Sequence, residues 1–507
     1  MAGDTRKKLK LDGRSLSVDD LAAISRGEVS LSLAPGARKR VLASRRVVDE
    51  VLDSDRVSYG INTGFGRFCN VQIDKDKTRK LQLNLIRSHG AGVGDPLPPE
   101  VVRLALAFRA NALAHGYSGV RPEVIDLLID LYNQDVLPWI PSEGSVGASG
   151  DLAPLAHLAQ VLIGEGRALV SGKWISASRA LGKCSLEPLQ LQAKEGLALI
   201  NGVQISSALL ARALIDARSL TAAADVIAAL SIESLLGSLT PFDGRIHEVR
   251  NHRGQGEVAR NIRKLMRGSK IVASHADCGR VQDPYSLRCV PQVHGAVRDA
   301  IEWVEGVLVT EINSATDNPL VFPAEGDVLS GGNFHGAPIG YAADLLAIVL
   351  TDLGSISERR TERLTNPDHS GLPAFLSADE GFESGWMLAQ VTAAALVSKN
   401  KVLSHPASVD SISTSAATED HVSMSTHAAD KAGQIARATC RVLGIEMLVA
   451  LDAIEYRRPL HSGKVLEKNI SWMREQLPVR SGDRDLNDEL ERAARMVAGG
   501  TLPVGGR

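Results

Sequence analysis

The sequence of 507 residues lacks the features of several large protein classes. Aromatic residues make up only 4% of the chain, and no uninterrupted run of about 18 apolar residues occurs. A basic N-terminal segment is followed by no apolar stretch, so it does not fit a secretory signal. The five cysteines form no CxxC pair, which argues against a disulfide framework or a thiolate zinc site; they are Cys69, Cys184, Cys278, Cys289 and Cys440. We expect a cytoplasmic protein that does not bind a membrane.

Charge of one sign is also missing. The chain has 57 Lys and Arg residues against 59 Asp and Glu residues, a formal net charge of −2. Binding of nucleic acid through net positive charge is therefore not expected. Hydrophobic residues at 44% and charged residues at 23% are typical of a globular protein with a large core.

Apolar periodicity predicts helix over most of the chain after residue 100. Between Ser206 and Gly237, apolar residues recur at steps of three and four, which predicts one long amphipathic helix with Gly237 as a left-handed C-cap. The same pattern returns around 338–365, 380–403 and 428–457. Strand signals are few and short, such as the one at 172–175. A mainly α protein with a helical bundle is predicted.

Common catalytic signatures are absent from the sequence. No GxxxxGK[ST] loop occurs, and no GxSxG elbow surrounds Ser149. His247 and His252 are five residues apart, whereas a zinc-protease helix needs a spacing of four to place both rings on one face. We expect no metal ion.

The most unusual segment is GSVGASGDLAPLAH at 144–157. Taken alone, Ala148-Ser149-Gly150 is best explained as a flexible turn, with Asp151 capping the helix that follows. It also has a chemical interpretation, because the unhindered nitrogen of Gly150 can attack the carbonyl of Ala148 in a tightly bent backbone. Loss of two water molecules would then leave a methylidene conjugated to a five-membered ring. This group is an electrophile that no ordinary side chain supplies.

Six separated segments carry a resemblance over nearly the whole chain. They resemble the signature segments of the aromatic amino acid ammonia-lyases that carry a methylidene-imidazolone (MIO) group, and they are YGINTGFG, GSVGASGDLAPLAH, RVQDPYSLRC, TDNPL, SGGNFH and TEDHVSM. The resemblance implies that Ala148, Ser149 and Gly150 cyclise to MIO without an external cofactor. Either the amino group or the ring of the substrate then adds to this electrophile, and the sequence does not choose between them.

The resemblance also implies an architecture, that of the ammonia-lyase/fumarase-like superfamily. We expect a mainly α fold with an N-terminal globular part (1–200) that carries the MIO loop, a long helical bundle (201–475) and a C-terminal tail (476–507). A homotetramer that shares residues between active sites is implied as well. This sharing would explain why the matching residues are spread from Tyr59 to Glu419.

Roles for individual residues follow from the matching segments. Tyr59 matches the base that removes the β-proton, and its pKa, ordinarily about 10, is expected to be lowered by a helix end or a cation. Arg288 matches the residue that pairs with the substrate carboxylate. Four others match residues that line the site, with Tyr285 assigned a catalytic role; they are Asn201, Gln282, Tyr285 and Phe334. Without the resemblance, these residue types are more often found in packing, solvation or capping.

His89 and Glu419 determine the expected substrate. His89 resembles the histidine of histidine-specific members, although tyrosine lyases have a histidine near this place too. Glu419 matches a glutamate of the histidine-specific members, and a carboxylate that faces an imidazole N–H disfavours a plain phenyl ring. Ala417 and Thr418 depart from the usual Asn-Gln, and Gly90 replaces a small apolar residue.

The expected reaction is elimination of ammonia from L-histidine to give trans-urocanate, the first step of histidine degradation. A tyrosine or phenylalanine ammonia-lyase, or an aminomutase, on the same fold is the nearest alternative. An alternative of another class is a helical scaffold protein that has lost catalysis.

Overall fold

The computed structural model describes residues 6–54, 56–500 and 502, and these are mainly helical, which confirms the predicted fold class. In chain order the helices are α1 (Val18–Arg26), α2 (Pro35–Leu52), α3 (Thr78–His89), α4 (Pro99–Ala114), α5 (Pro122–Asn133), α6 (Leu152–Leu162), α7 (Ala177–Lys183), α8 (Glu195–Ile200), α9 (Gln204–Ser234), α10 (Gly244–Glu248), α11 (Arg253–Leu265), α12 (Lys270–Ala273), α13 (Tyr285–Arg288), α14 (Val290–Ile312), α15 (Ala337–Thr365), α16 (Pro367–Ser370), α17 (Met387–Leu403), α18 (Ser425–Glu455), α19 (Lys464–Gln476) and α20 (Asn487–Ala498).

Within the described ranges the strands are short and form four small sheets. They are β1 (Lys7–Leu11), β2 (Val29–Leu33), β3 (Val93–Pro96), β4 (Leu137–Pro138), β5 (Pro141–Glu143), β6 (Arg167–Val170), β7 (Lys173–Ser176), β8 (Leu320–Phe322) and β9 (Asp327–Leu329). β1 and β2 pair in parallel, whereas β3–β5, β4–β6–β7 and β8–β9 pair antiparallel. The strand signal at 172–175 falls on the hairpin of β6 and β7.

The long helices lie where the periodicity predicts them. Helices α9, α15, α17 and α18 cover the four predicted ranges to within a few residues at most ends. The predicted cap at the end of α9 is wrong in one detail. Leu236, with φ of 52°, takes the left-handed conformation, and the N–H of Gly237 bonds the carbonyl of Ile232 at 2.8 Å. This hydrogen bond from Gly237 back to Ile232 closes the end of the helix and needs one residue in the left-handed conformation, which is Leu236.

The chain folds into two compact units. The first contains residues up to Arg212 together with 305–344 and 406–430. Its core includes a cluster that joins α2, β8 and the chain around Ile61; the members are Val47, Val48, Val51, Ile61, Ala193 and Val321. Ile61 is fully buried, which anchors the loop that begins at Tyr59. These limits differ from the division at residues 200 and 475, because two later segments return to the first unit.

The second unit contains 213–304, 345–405 and the described residues from 431 onward. Its core holds a fully buried ion pair between Arg360 Nε and Glu446 Oε1 at 2.5 Å, and Ser231 and Ser357 each donate a hydrogen bond to that carboxylate. Within the predicted C-terminal tail, α20 is a regular helix whose Ala493 and Val497 are fully buried.

One helix in the described ranges, α15, is long and apolar enough to cross a membrane by length and composition alone. Of its most apolar window, 67% is buried inside the protein, as in the core helix of a globular fold. Residues such as Leu346 and Leu350 are fully buried.

Candidate active site

The loop 144–151 is bent so tightly that two of its positions require glycine. Gly147 and Gly150 have φ of 67° and 76°, in the left-handed region that other residues adopt at a cost. Gly150 pairs with Gly202, and a methyl group at Gly150 would overlap the carbonyl of Gly202. Gly150 is therefore required by close contact between backbones, whereas a methyl group at Gly147 would overlap the Ser423 hydroxyl.

Two other segments of the first unit hold this loop by hydrogen bonds, one at Gly202 and the other at Ser423 and Met424. The amide N–H of Asp151 donates to the carbonyl of Gly202 at 2.7 Å. The Ser423 hydroxyl donates to the carbonyl of Gly147 at 2.9 Å, and the N–H of Met424 donates to the carbonyl of Val146 at 2.9 Å. The triad is thus fixed by contacts that are distant in the chain.

Asp151 does not cap α6 through its side chain, contrary to the explanation of the loop as a simple capped turn. Its fully buried carboxylate instead accepts the backbone N–H of Ser206 at 2.8 Å, in the first turn of α9, and the hydroxyls of Ser206 and Thr426 at 2.7 and 2.8 Å. Burial raises the pKa of Asp151, and these hydrogen bonds act in the opposite direction. Asp151 thereby ties the loop to α9 and α18.

Ser149 lies between an amide donor and a carboxylate acceptor. Asn201 Nδ2 donates to the carbonyl of Ser149 at 2.9 Å, and the Ser149 hydroxyl donates to Glu419. The Glu419 carboxylate also accepts the hydroxyls of Thr414 and Ser415 at 2.9 and 2.8 Å. Three acceptor contacts therefore fix the direction of Glu419.

The segment before Glu419 has an unusual backbone. Ser415, Ala416 and Ala417 have φ of 53°, 54° and 61°, so three residues with side chains are left-handed in succession. Each such residue costs roughly 1–2 kcal/mol. This is the segment in which Ala417 and Thr418 depart from the family pattern, and it brings the Glu419 carboxylate to Ser149.

Three cavities of the first unit border Ser149. Their volumes are about 510, 820 and 390 Å³. Apolar side chains such as Phe65, Leu81 and Leu85 line the largest, which has room for a flat ring. Between them the cavities bring together eight of the predicted site residues: Tyr59, His89, Ala148, Ser149, Gly150, Asn201, Phe334 and Glu419.

Tyr59 departs from expectation in its titration. Its burial raises the pKa of the phenol, as does the proximity of the acidic groups of Cys69, Glu419 and Asp317, whereas a long contact from the N–H of Gly66 at 3.5 Å opposes them. The expected lowering by a cation or helix end is therefore wrong for the single chain. The physical reason is that Tyr59 is partly buried and its neighbouring ionisable groups are acidic.

His89 is the last residue of α3 and borders two of the three cavities. Burial lowers the pKa of its imidazole, while the carbonyl of Leu85 and the Glu419 carboxylate oppose that effect. Ser88 Oγ lies 3.0 Å from Nδ1. A lowered pKa keeps this ring neutral at pH 7, so one ring nitrogen can accept a hydrogen bond and the other can donate one.

Gln282, Tyr285 and Arg288 lie in the second unit. Gln282 and Arg288 line a cavity of about 750 Å³ in that unit. The Arg288 guanidinium lies over the ring of Tyr285, 4.6 Å from its centroid, and its Nε has no hydrogen-bond partner among the described residues. Tyr285 is 70% exposed.

A stacked pair of histidines borders the 510 Å³ cavity and was not singled out from the sequence. The rings of His335 and His421 are parallel to within 2°, with centroids 5.8 Å apart. SGGNFH and TEDHVSM contain these residues, but no spacing in the chain indicates that two histidines 86 positions apart stack. Tertiary structure alone places them together.

Comparison with known proteins shows the family of this chain. A family model described as aromatic amino acid lyase matches residues 16–475. This chain belongs to the aromatic amino acid lyase family. The match includes residues of both compact units and spans all eleven predicted site residues, and it confirms the resemblance carried by the six segments.

Individual relatives of this lyase are similar over nearly their whole length. Histidine ammonia-lyase of Myxococcus xanthus is 50% identical over 498 residues, 98% of each chain. The crystal structure of histidine ammonia-lyase from Trypanosoma cruzi has a TM-score of 0.91 and 45% identity, covering 98% of this chain and 94% of that one. Tyrosine aminomutase from Streptomyces globisporus has a TM-score of 0.92 at 34% identity, covering 98% and 97% of the two chains.

Proposed function

We propose that this lyase eliminates ammonia from L-histidine to give trans-urocanate. One observation carries the proposal: the Glu419 carboxylate and the Ser149 hydroxyl are in contact where the cavities lined by Tyr59 and His89 meet. The relatives named histidine ammonia-lyase, at about half identical residues over the whole chain, support histidine as the substrate.

Cyclisation of Ala148-Ser149-Gly150 to MIO fits the residues around it. Gly150 has the left-handed conformation, and Gly202 leaves no room for a side chain there. Asn201 donates to the carbonyl of Ser149, which withdraws electron density from the atoms that would become the conjugated system. Once formed, MIO supplies the electrophile that makes the amino acid's nitrogen easier to expel.

Tyr59 is proposed as the base that takes the β-proton of the substrate on its phenolate oxygen. In the single chain its raised pKa keeps the phenol protonated at neutral pH. A cation or the positive end of a helix must therefore approach Tyr59 in the working enzyme. We propose that the working enzyme is a cytoplasmic homotetramer, in which another copy of this chain supplies the positive group near Tyr59. Arg288, which would bind the substrate carboxylate, and Gln282 and Tyr285 would also come from other copies.

Glu419 and His89 select the imidazole ring. The Ser149 hydroxyl that Glu419 accepts would leave as water during cyclisation, which frees an acceptor oxygen next to the proposed electrophile. An imidazole N–H can donate to that oxygen, whereas phenylalanine leaves the same oxygen unpaired at a cost of roughly 1–3 kcal/mol or more. Histidine is thus favoured over a plain aromatic ring.

Incubation of the purified protein with histidine, tyrosine and phenylalanine in parallel tests the proposal. Urocanate, coumarate and cinnamate have distinct ultraviolet bands, and we expect the urocanate band with histidine together with release of ammonia. A coumarate or cinnamate band alone would assign the enzyme to another substrate. Isomerised amino acid without free ammonia would identify an aminomutase, and an unmodified mass without turnover would identify a scaffold.

A further inference from the structure

A fully buried guanidinium binds the segment 201–204, which in turn contacts the triad. Arg109 is in the middle of α4 and has no solvent exposure. Its Nη1 donates to the carbonyl of Asn201 at 3.0 Å and to Gln204 Oε1 at 2.6 Å, and both Nη atoms lie 3.4 Å from the carbonyl of Thr316. One side chain therefore holds the segment 201–204 against the segment at 316.

The dipeptide that Arg109 holds is the one that contacts the triad. Asn201 donates its side-chain amide to the carbonyl of Ser149 at 2.9 Å, and Gly202 pairs with Gly150 and accepts the N–H of Asp151. A methyl group on Gly202 would overlap Arg109 Nη1, so the guanidinium packs directly against this backbone. Only Asn201 and Gly202 therefore lie between Arg109 and the triad.

The charge of Arg109 is costly to bury and is not matched by a partner of its own. The nearby carboxylate, Asp317, is already paired with the fully buried Lys194 at 2.7 Å, so two cations share one anion. Burial lowers the pKa of Arg109 to about 10. An apolar side chain of similar size commonly stabilises such a position at least as well. What it cannot do is hold two carbonyls and an amide oxygen in fixed directions.

We propose that Arg109 is a positioning residue for ring closure, an inference that rests on the proposed MIO chemistry. In that step the nitrogen of Gly150 bonds to the carbonyl carbon of Ala148. The carbonyl oxygen leaves as water with the N–H hydrogens of Ser149 and Gly150, and the Ser149 hydroxyl leaves as a second water with the Cα hydrogen of that residue. Arg109 fixes the dipeptide 201–202, which holds Ser149 and Gly150 in the bent conformation that this bond requires.

Arg109→Met and Arg109→Lys test this role in the full-length chain. Freshly synthesised protein is sampled over time, the folded fraction is isolated, and its intact mass reports loss of two water molecules. We expect Arg109→Met to cyclise slower by about tenfold or more, the effect of losing one ordinary hydrogen bond from the reacting geometry. Arg109→Lys keeps the charge but has one donating nitrogen in place of the two that Arg109 uses, so its rate should lie between those of Arg109→Met and the wild type.

Arg45→Met is the matched control. Arg45 is also a buried arginine of the first unit, and it donates to the carbonyls of Gly119 and Ala193 at 3.3 and 3.0 Å, neither of which belongs to a residue that contacts the triad. We expect this variant to lower the melting temperature while its folded fraction cyclises at the wild-type rate.

The outcomes separate this inference from the proposed function. A wild-type rate in folded Arg109→Met, or in folded Arg109→Lys if the methionine variant does not fold, would overturn the positioning role. Equal slowing in Arg45→Met would overturn it as well, because a general loss of stability would then explain the effect. If the wild-type protein itself kept both waters, the proposed chemistry would fail before Arg109 was tested.

Discussion

Adding one methyl group at Gly147 should block maturation without unfolding the protein. Gly147 lies outside the triad and has φ of 67°. In Gly147→Ala the new methyl would overlap Ser423 Oγ and lie 2.6 Å from Ser425 Oγ. Ser423 would have to move, and its hydrogen bond to the carbonyl of Gly147 at 2.9 Å would be lost or lengthened.

The chain offers a control with the same backbone strain and no crowding. Gly172, in the turn between β6 and β7, has φ of 75°, and a methyl group there would meet nothing within 4 Å. Both variants pay roughly 1–2 kcal/mol for a left-handed alanine. Gly147→Ala adds about 1–3 kcal/mol for overpacking and about 1 kcal/mol for the hydrogen bond. The free energies of unfolding of the two variants should therefore differ by about 2–4 kcal/mol, and this difference arises from contacts of the loop 144–151.

Intact mass, ammonia release from histidine and melting temperature form the assay. We expect Gly172→Ala to lose two waters fully and to retain wild-type turnover. Gly147→Ala should fold, because the added cost is below the stability of an ordinary domain, but should remain largely uncyclised and inactive. A fully cyclised and active Gly147→Ala would refute the argument that close contact between Gly147 and the Ser423 hydroxyl positions the triad.

Three further predictions concern single side chains. Ser149→Ala should fold and assemble as the wild type does while turnover is abolished, and retained activity would contradict the MIO mechanism. Glu419→Gln should lower kcat/KM for histidine by about tenfold or more through loss of a charged hydrogen bond; intact mass must first show complete cyclisation, and unchanged kcat/KM in such protein would refute the role of Glu419. Glu233 is buried beside Ser462, and burial raises its pKa from 4.5 to about 7. Between these two pH values the folded state therefore binds more protons than the unfolded state, so the free energy of unfolding falls as pH rises. Glu233→Gln should remove that fall and stabilise the protein above pH 7 by up to about 3 kcal/mol in thermal unfolding; parallel melting curves for variant and wild type across this range would exclude the effect.

Much of the helical architecture could be predicted because it is written in local patterns. Apolar residues at three- and four-residue steps predict α9, α15, α17 and α18, since each helix must bury one face whatever its neighbours are. The six segments that carry the family resemblance were equally visible, because each is a short run of chain. Even so, the end of α9 was wrong by one residue, since Leu236 rather than Gly237 takes the left-handed conformation.

The environment of the site could not be predicted in the same way. Asp151 accepts a hydrogen bond from the first turn of α9 instead of capping α6, and the partial burial of Tyr59 among acidic neighbours raises a pKa that the proposed reaction needs to be low. Both outcomes depend on which distant segments pack together. A pKa responds to desolvation and charge in three dimensions, and neighbouring residues in sequence carry no record of either.

The sequence alone determined which groups are available: the small residues of the triad, a tyrosine, a histidine and a glutamate in recognisable runs, and helices long enough to form a core. Only the tertiary structure decided that Arg109 binds the carbonyl of Asn201, which contacts the triad. It also decided that residues 406–430 return to the first unit, where Glu419 contacts Ser149. The reason is physical. Helical periodicity arises from contacts within one turn, whereas a buried polar network forms only where the folded chain excludes water and leaves each group the partners it has enclosed.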